Sequence, residues 1–401
     1  MNRRAHLSLE ETRPRARGRE RGRRAATEIA RTWRTYAELF DATAAAGGRT
    51  LDVPALALAS VAATRAWAPD LAEEMEGVAE GADVPLWVVA ALNARTEILS
   101  EAAAPRAGEC STVVHVGTSR SGTSAGDDAE NGAAGAEVGG AGNGAGNGAA
   151  GRTVGGQSWD WHEELADGWH AQSVRGAAGD PADGGSLAFT GITEYGILAK
   201  IGLNEAGVGV LFNILGHVGD GAGGVPVHLV ARRALGSATS FDEAVAVITG
   251  APVSASTVMT VVTAGRAASV EVSPAGAAVV HPDAGGWLVR TNHFQDPALA
   301  AGEHRGRLEP ETYDRLRVLG ERVRGRDGIG GPGDLAALLT AHPGDGAEVC
   351  CHAPAGGRLG TRWATLATVL VEPAAGLFQV HDGGPCTAGP GTWETFAVPT
   401  G

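Results

Sequence analysis

Cysteine is scarce in this chain, with four in 401 residues, at positions 110, 350, 351 and 386. So few in a chain this long exclude a disulfide scaffold and leave each to be read as a thiol. Basic charge is also short: 32 lysines and arginines face 46 acidic residues, a formal net charge of -14. Phosphate binding needs a concentrated basic face, so nucleic acid is not expected as a partner. The one basic cluster, Arg13 to Arg24, is broken by Glu20 and Gly22 and reads as a solvated start to a helix. Long apolar runs are missing too. No stretch approaches the roughly 20 residues that span a bilayer, and the first 18 residues lack the apolar segment of a secretory signal. Membrane association is therefore not expected, and the expected compartment is the cytoplasm.

What is present is a globular composition, 43% hydrophobic, sufficient for a sizeable core. Residues 25 to 100 carry apolar positions at helical spacing, as in Ala25, Ile29, Trp33, Tyr36 and Leu39. From Ser111 the texture changes to short β-branched runs: STVVHV, YGILAKIG, VGVLFNIL, STVMTVVTA, ASVEVS, WLVRT and ATLATVLV. Helices interleave with them. One opens at Ser240 with Glu243 three residues on, and others are expected over Glu309 to Arg324 and Asp334 to His342. The fold class is α+β with largely antiparallel sheets.

Residues 118–152 are almost wholly Gly, Ala, Ser, Asn and acidic residues, a composition that cannot offset its ordering entropy, so they read as a flexible insert. The insert separates STVVHV from the run ending in SWDW, which makes the two runs arms of one hairpin. In an antiparallel hairpin the start of one arm faces the end of the other, so Cys110 should approach Trp159, Asp160 and Trp161.

The stretches GECSTVV, GQSWDW, EEMEGVAEGADV, LNARTEI, GLNEAGVGVLFN, VEVSP, TNHF and GGPC, in this order of chemistry rather than of chain, are the informative ones. Together they resemble the acyl-coenzyme A:6-aminopenicillanate (isopenicillin N) acyltransferase family of the N-terminal-nucleophile superfamily. The resemblance runs from about Glu20 to the C-terminus, the insert apart. It implies a four-layer αββα sandwich made as a precursor that cuts itself just before a cysteine. Carried onto this chain, the cut falls between Glu109 and Cys110. Residues 1–109 become a mostly helical α-chain and residues 110–401 a β-chain, held together as a heterodimer. The sequence departs from relatives at Ser158, commonly Asn, and at Gln157, which is Arg in bile-salt hydrolases.

The chemistry follows from the thiol. A cysteine needs a nearby base at neutral pH, and a cysteine that is its own N-terminus carries one as its α-amino group, which titrates near 7.7–8.0. Cys110 is the nucleophile implied for both self-cleavage and acyl transfer. Asp160 resembles the aspartate that orients the new amine. Asn292 and Asn213 resemble oxyanion donors, and an Asn inside the apolar run VLFNIL already demands a partner. Arg362 falls where related hydrolases carry an arginine near the nucleophile, and Ser111 and Thr112 follow the thiol in sequence.

The expected function is an autocatalytically processed amidohydrolase or acyltransferase. Its expected partner is a small acyl donor, joined by an amine acceptor if the reaction is transfer rather than hydrolysis; a coenzyme A thioester is one donor left open, and no cofactor is implied. Two alternatives stay open: a catalytically silent binding protein, and a conventional Cys-His enzyme using His293 or His115 without chain cleavage. Cys350, Cys351, His352 and Cys386 lack the usual C-x2-C spacing, and adjacent cysteines rarely close a tetrahedral site. They read as structural or incidental thiols, with no metal expected.

Overall fold

The computed structural model describes residues 4–102, 110–117 and 152–399. A short strand, β1 (His6–Leu9), precedes six helices: α1 (Pro14–Arg24), α2 (Ala26–Ala46), α3 (Val53–Trp67), α4 (Pro69–Ala82), α5 (Leu86–Asn93) and α6 (Arg95–Glu101). The expected hairpin follows as β2 (Ser111–Val116) and β3 (Thr153–His162), which pair antiparallel with Ser111 opposite Ser158. Beyond them come β4 (Trp169–Val174), β5 (Phe189–Glu194), β6 (Ile201–Asn204) and β7 (Gly209–Ile214). Helices α7 (Val227–Ser237) and α8 (Phe241–Thr249) lead to β8 (Thr257–Thr263), β9 (Arg266–Ser273), β10 (Gly276–Val280) and β11 (Trp287–Arg290). Four helices follow, α9 (Pro297–Ala300), α10 (Arg305–Leu308), α11 (Glu311–Val323) and α12 (Pro332–Leu339). Strands β12 (Trp363–Glu372), β13 (Leu377–Asp382) and β14 (Trp393–Ala397) close the chain. Most of the 118–152 insert, and Glu109, lie outside the described residues.

The strands form two sheets. One has eight strands in the order β1-β4-β5-β6-β7-β8-β9-β10, the other six in the order β11-β2-β3-β12-β13-β14. Every pairing is antiparallel except β1 with β4. Alternation along β2 sorts the layers. Val114 joins Leu211, Val262 and Val369 in the core between the sheets, whereas Val113 joins Leu335, Leu338 and Val318 under α11 and α12. On the far side, α7 and α8 pack on the eight-stranded sheet. The order is helices, sheet, sheet, helices, the αββα sandwich expected. Gly156 makes one contact of these layers possible, since a Cβ there would lie 2.2 Å from a methyl of Leu335.

The N-terminal region is helical as expected, but it also contributes an edge strand, β1, to the larger sheet. Its helices α1 and α4 touch backbone to backbone. A Cβ on Gly18 would lie 2.1 Å from the Glu74 carbonyl oxygen, and one on Gly77 would lie 2.1 Å from that of Arg15. The closeness corrects one expectation. The Arg13–Arg24 cluster is not simply solvated, because Arg17 and Arg21 are buried. Arg17 lies 2.9 Å and Arg232 lies 3.0 Å from the buried Glu74 carboxylate, with Arg21 at 3.7 Å. Burial pushes the Glu74 carboxyl up, but Arg17 and Arg232 outweigh it and hold the pKa at about 2. The exposed members of the cluster, Arg15 and Arg19, pair with Glu80.

Other local readings compare directly with the structure. Ser240 caps α8 by accepting from the Glu243 N–H, while the Glu243 carboxylate reaches back to Thr239 rather than to Ser240. The run YGILAKIG is a strand only from Ile201; residues 195–200 form turns and irregular backbone. No helix among the described residues is long and apolar enough to cross a membrane.

Candidate active site

Cys110 sits immediately before β2 and is buried. Continuing the β2–β3 register by one residue sets it opposite Trp159, and its thiol points to the Asp160 carbonyl oxygen at 3.9 Å. The approach expected from the hairpin is present. Because side chains alternate along β3, Trp159 and Trp161 face the core between the sheets and Asp160 faces the other way. There Asp160 lines a cleft with Arg315, Cys351, His352 and Trp363.

One asparagine and one arginine engage the start of β2, and a second asparagine holds the arginine. Asn213 on β7 donates to the Cys110 carbonyl oxygen at 2.9 Å and accepts from the Thr112 hydroxyl at 2.8 Å. This meets the demand for a partner raised by an Asn in an apolar strand. Arg315 on α11 donates to the same carbonyl at 3.2 Å and to the Ser111 hydroxyl at 3.1 Å. It also reaches the Asn292 side-chain oxygen at 3.3 Å, while the Asn292 amide donates to the Ile214 carbonyl at 2.8 Å. Gln157 stitches the two sheets, accepting from the Phe212 N–H and donating to the Phe212 carbonyl oxygen.

Arg362 is placed elsewhere. It pairs with Glu163 and, at 3.5 Å, with Glu164. The arginine that meets the Cys110 main chain is Arg315, which sequence reading missed. Its signal was available: Arg315 falls on the buried face of α11 with Thr312, Val318 and Leu319. An arginine on such a face requires acceptors.

A second missed group lies on the inner side of β3. Glu194 pairs with Arg95 at 2.9 Å and with Lys200 at 3.2 Å, all three buried. Lys200 lies over the Trp159 ring at 3.7 Å and Arg95 over the Trp161 ring at 4.0 Å. Tyr36 donates to Glu194 and accepts from the Trp161 indole at 2.8 Å. Both cations act electrostatically on Cys110. Burial pushes the Lys200 ammonium down to about 7, against the opposing pull of Glu194. A lysine inside YGILAKIG was the signal here. The two tryptophans of SWDW thus cover two cations while the aspartate between them faces the cleft.

The histidines of the alternative reading occupy other settings. His115 stands five residues further along β2, about 16 Å from Cys110 at strand rise, with its ring against Trp287. His293 is buried between the Thr291 and Thr312 hydroxyls and packs on Tyr313. Behind the cleft wall, His342, Cys350, His352 and Cys386 gather, with their ligand atoms all within 4.8 Å of one another.

Asp160, Asn213, Asn292 and Arg315 fall within a stretch that a family model matches, whereas Cys110 lies before it. The family model described as acyl-coenzyme A:6-aminopenicillanic acid acyl-transferase matches residues 147–323. The resemblance read from the motifs holds. The 40 kDa form of acyl-coenzyme A:6-aminopenicillanic-acid acyltransferase from Emericella nidulans is 36% identical over 102 residues. That match covers 25% of this chain and 29% of the relative, so it spans well under half of either protein. Among solved structures, penicillin V acylase from Agrobacterium tumefaciens is 14% identical, with 68% of this chain and 83% of that chain covered and a TM-score of 0.37. A mutant conjugated bile acid hydrolase from Clostridium perfringens is 11% identical, covering 61% of this chain and 88% of that chain, with a TM-score of 0.40.

Proposed function

We propose that this protein is an acyltransferase or amidohydrolase activated by its own cleavage before Cys110. The observation that carries the reading is the convergence of Asn213 and Arg315 on the Cys110 carbonyl, with Asn292 held by the same arginine. Such donors fix the main chain of a residue that must keep its place once its N-terminal peptide bond is broken.

In maturation, the Cys110 sulfur attacks the Glu109 carbonyl carbon. The C–N bond breaks, the Cys110 nitrogen takes the thiol proton, and a thioester joins residues 1–109 to the sulfur. Water then adds to that thioester, releasing the Glu109 carboxylate and restoring the thiol. In turnover, a small amide or acyl thioester acylates the same sulfur, and water or an amine acceptor removes the acyl group. The free α-amine exchanges protons with the thiol at each step. Asp160 orients that amine, and Asn292 with Asn213 supplies amide donors to the oxyanion. A protonated Lys200 and Arg95 favour the thiolate from the inner side. Arg362 has no part in this scheme; Arg315 takes the place assigned to it.

Intact-mass spectrometry of the purified protein tests the proposal. Two chains are expected, the larger beginning at Cys110, and Cys110→Ala should give one uncut chain. Incubation with thioester, amide and peptide donors should add an acyl mass to the larger chain. A wild-type chain that stays whole and turns over these donors at full rate would sink the reading.

A further inference from the structure

The stretch from α12 to β12, residues 340–362, is long for a connection in a packed domain. Among the described residues it holds a single one-turn helix, Pro343–Asp345, and it is rich in glycine, with Gly346, Gly356, Gly357 and Gly360 at positive φ. Loops of this length without regular structure need some other source of order. Its residues Pro343, Ala347, Glu348, Cys351 and His352 line the cleft that Asp160 and Arg315 share.

Four side chains with metal-binding atoms meet at its back. The His352 Nε2 lies 3.2 Å from the His342 Nε2, 3.6 Å from the Cys350 Sγ and 3.4 Å from the Cys386 Sγ. All four ligand atoms lie within 4.8 Å of one another. A tetrahedral zinc ion with bonds of about 2.3 Å to sulfur and about 2.0–2.1 Å to nitrogen sets its ligands about 3.3–3.8 Å apart. Two thiols and two imidazoles are also a common composition of structural zinc sites.

The set escapes a sequence reading because its spacing is irregular and its cysteines look adjacent. In the fold they separate. Cys351 turns away, its thiol donating to the Trp363 carbonyl at 3.3 Å, its N–H donating to the Thr365 hydroxyl at 2.9 Å and its carbonyl accepting from the Thr365 N–H at 2.9 Å. Cys350 instead faces the turn after β13, where Gly384 approaches so closely that a Cβ there would lie 2.8 Å from the Cys350 sulfur. Cys386 follows on the one-turn helix Pro385–Thr387, and His342 comes from the chain just past α12.

We infer that His342, Cys350, His352 and Cys386 form a closed, four-coordinate zinc site that fastens the cleft-lining loop to the turn after β13. Binding displaces one proton from each thiol, and both imidazoles bind neutral, so the ion retains no open position for substrate or water. The ion is structural. It positions the cleft wall and takes no part in acyl transfer, so the inference stands or falls independently of the function proposed above.

Elemental analysis of the full-length protein, purified without chelator, should find about one zinc per chain. Cobalt titrated into zinc-depleted protein should reach an endpoint at one equivalent, with the intense visible bands of a tetrahedral ion and a thiolate charge-transfer band. Cys386→Ser and His342→Ala should lose most of the zinc, whereas Cys351→Ser should retain it. Protein without zinc that also gives no tetrahedral cobalt spectrum would overturn the inference. So would a disulfide between Cys350 and Cys386 in peptide mapping, or metal lost from Cys351→Ser but kept by Cys386→Ser. The cobalt titration of wild-type protein keeps the test decisive even where a variant fails to fold.

Discussion

Two buried ion clusters, built from similar parts, behave differently in this molecule. In one, Glu74 faces Arg17, Arg21 and Arg232 where helix α4 meets α1. In the other, Glu194 faces Arg95 and Lys200 beneath the tryptophans of β3. The first holds only guanidiniums, which keep their protons in a protein interior. The second includes an ammonium that burial has brought to about 7. One cluster is locked in charge and serves the packing of two helices. The other can change its charge near neutral pH, within reach of Cys110.

The largest expected effect comes from deleting each carboxylate. Glu74→Gln strands three guanidiniums and should cost about 3–5 kcal/mol in denaturant unfolding. Glu194→Gln should cost clearly less, because Lys200 can shed its proton and leave only Arg95 charged. Equal losses would break the comparison. The pH dependence has a defined sign. Glu74, held at about 2 when folded, contributes stability that is present above about 4.5 and lost as pH falls toward 2.

A smaller effect is expected from Lys200→Met, measured on the acylation step of the proposed reaction. Below about pH 7, where Lys200 is protonated, kcat/KM should fall about tenfold, the equivalent of one pKa unit in the thiol. Above that pH the wild type and the variant should converge, and Lys200→Arg should restore the low-pH rate. A uniform loss at every pH would assign Lys200 to packing alone.

The smallest effect sharpens the contrast with a third buried carboxylate. Glu97 accepts from the Val227 N–H at 2.8 Å, and burial pushes it up to about 7 against this hydrogen bond. Raised rather than lowered, it contributes stability that is fully present below about 4.5 and lost as pH rises through 7. Glu97→Gln should flatten that slope in thermal melts between pH 4.5 and 7. A slope that survives the substitution would remove Glu97 from the account.

Local features of the fold were legible because their signals are local. Strand alternation and turn residues located the β2–β3 hairpin, and with it the approach of Cys110 to Asp160. The Ser240 cap and the helical span of α11 follow from short-range chemistry in the same way. The two ion clusters were not legible, since Arg17 finds Glu74 across 57 positions and Arg95 finds Glu194 across 99. Arg315 was hidden for the same reason, being 205 positions from Cys110. In each case the sequence carries a warning, a charge on an apolar face, without naming the partner. YGILAKIG shows the opposite case: its apolar run reads as a strand, yet Gly196 has positive φ and turns the chain.

The parallel pairing of β1 with β4 has a consequence for the life history of the protein. On the proposed cut, the first 109 residues would still own a strand of the larger sheet, and their buried Glu74 and Arg95 would still pair with Arg232 and Glu194 of the other chain, so the halves stay interlaced. Breaking one peptide bond would leave the native shape unchanged yet turn refolding from a one-body into a two-body search, dependent on concentration. Maturation would then act as a ratchet: easily crossed once from the folded precursor, and hard to retrace after denaturation.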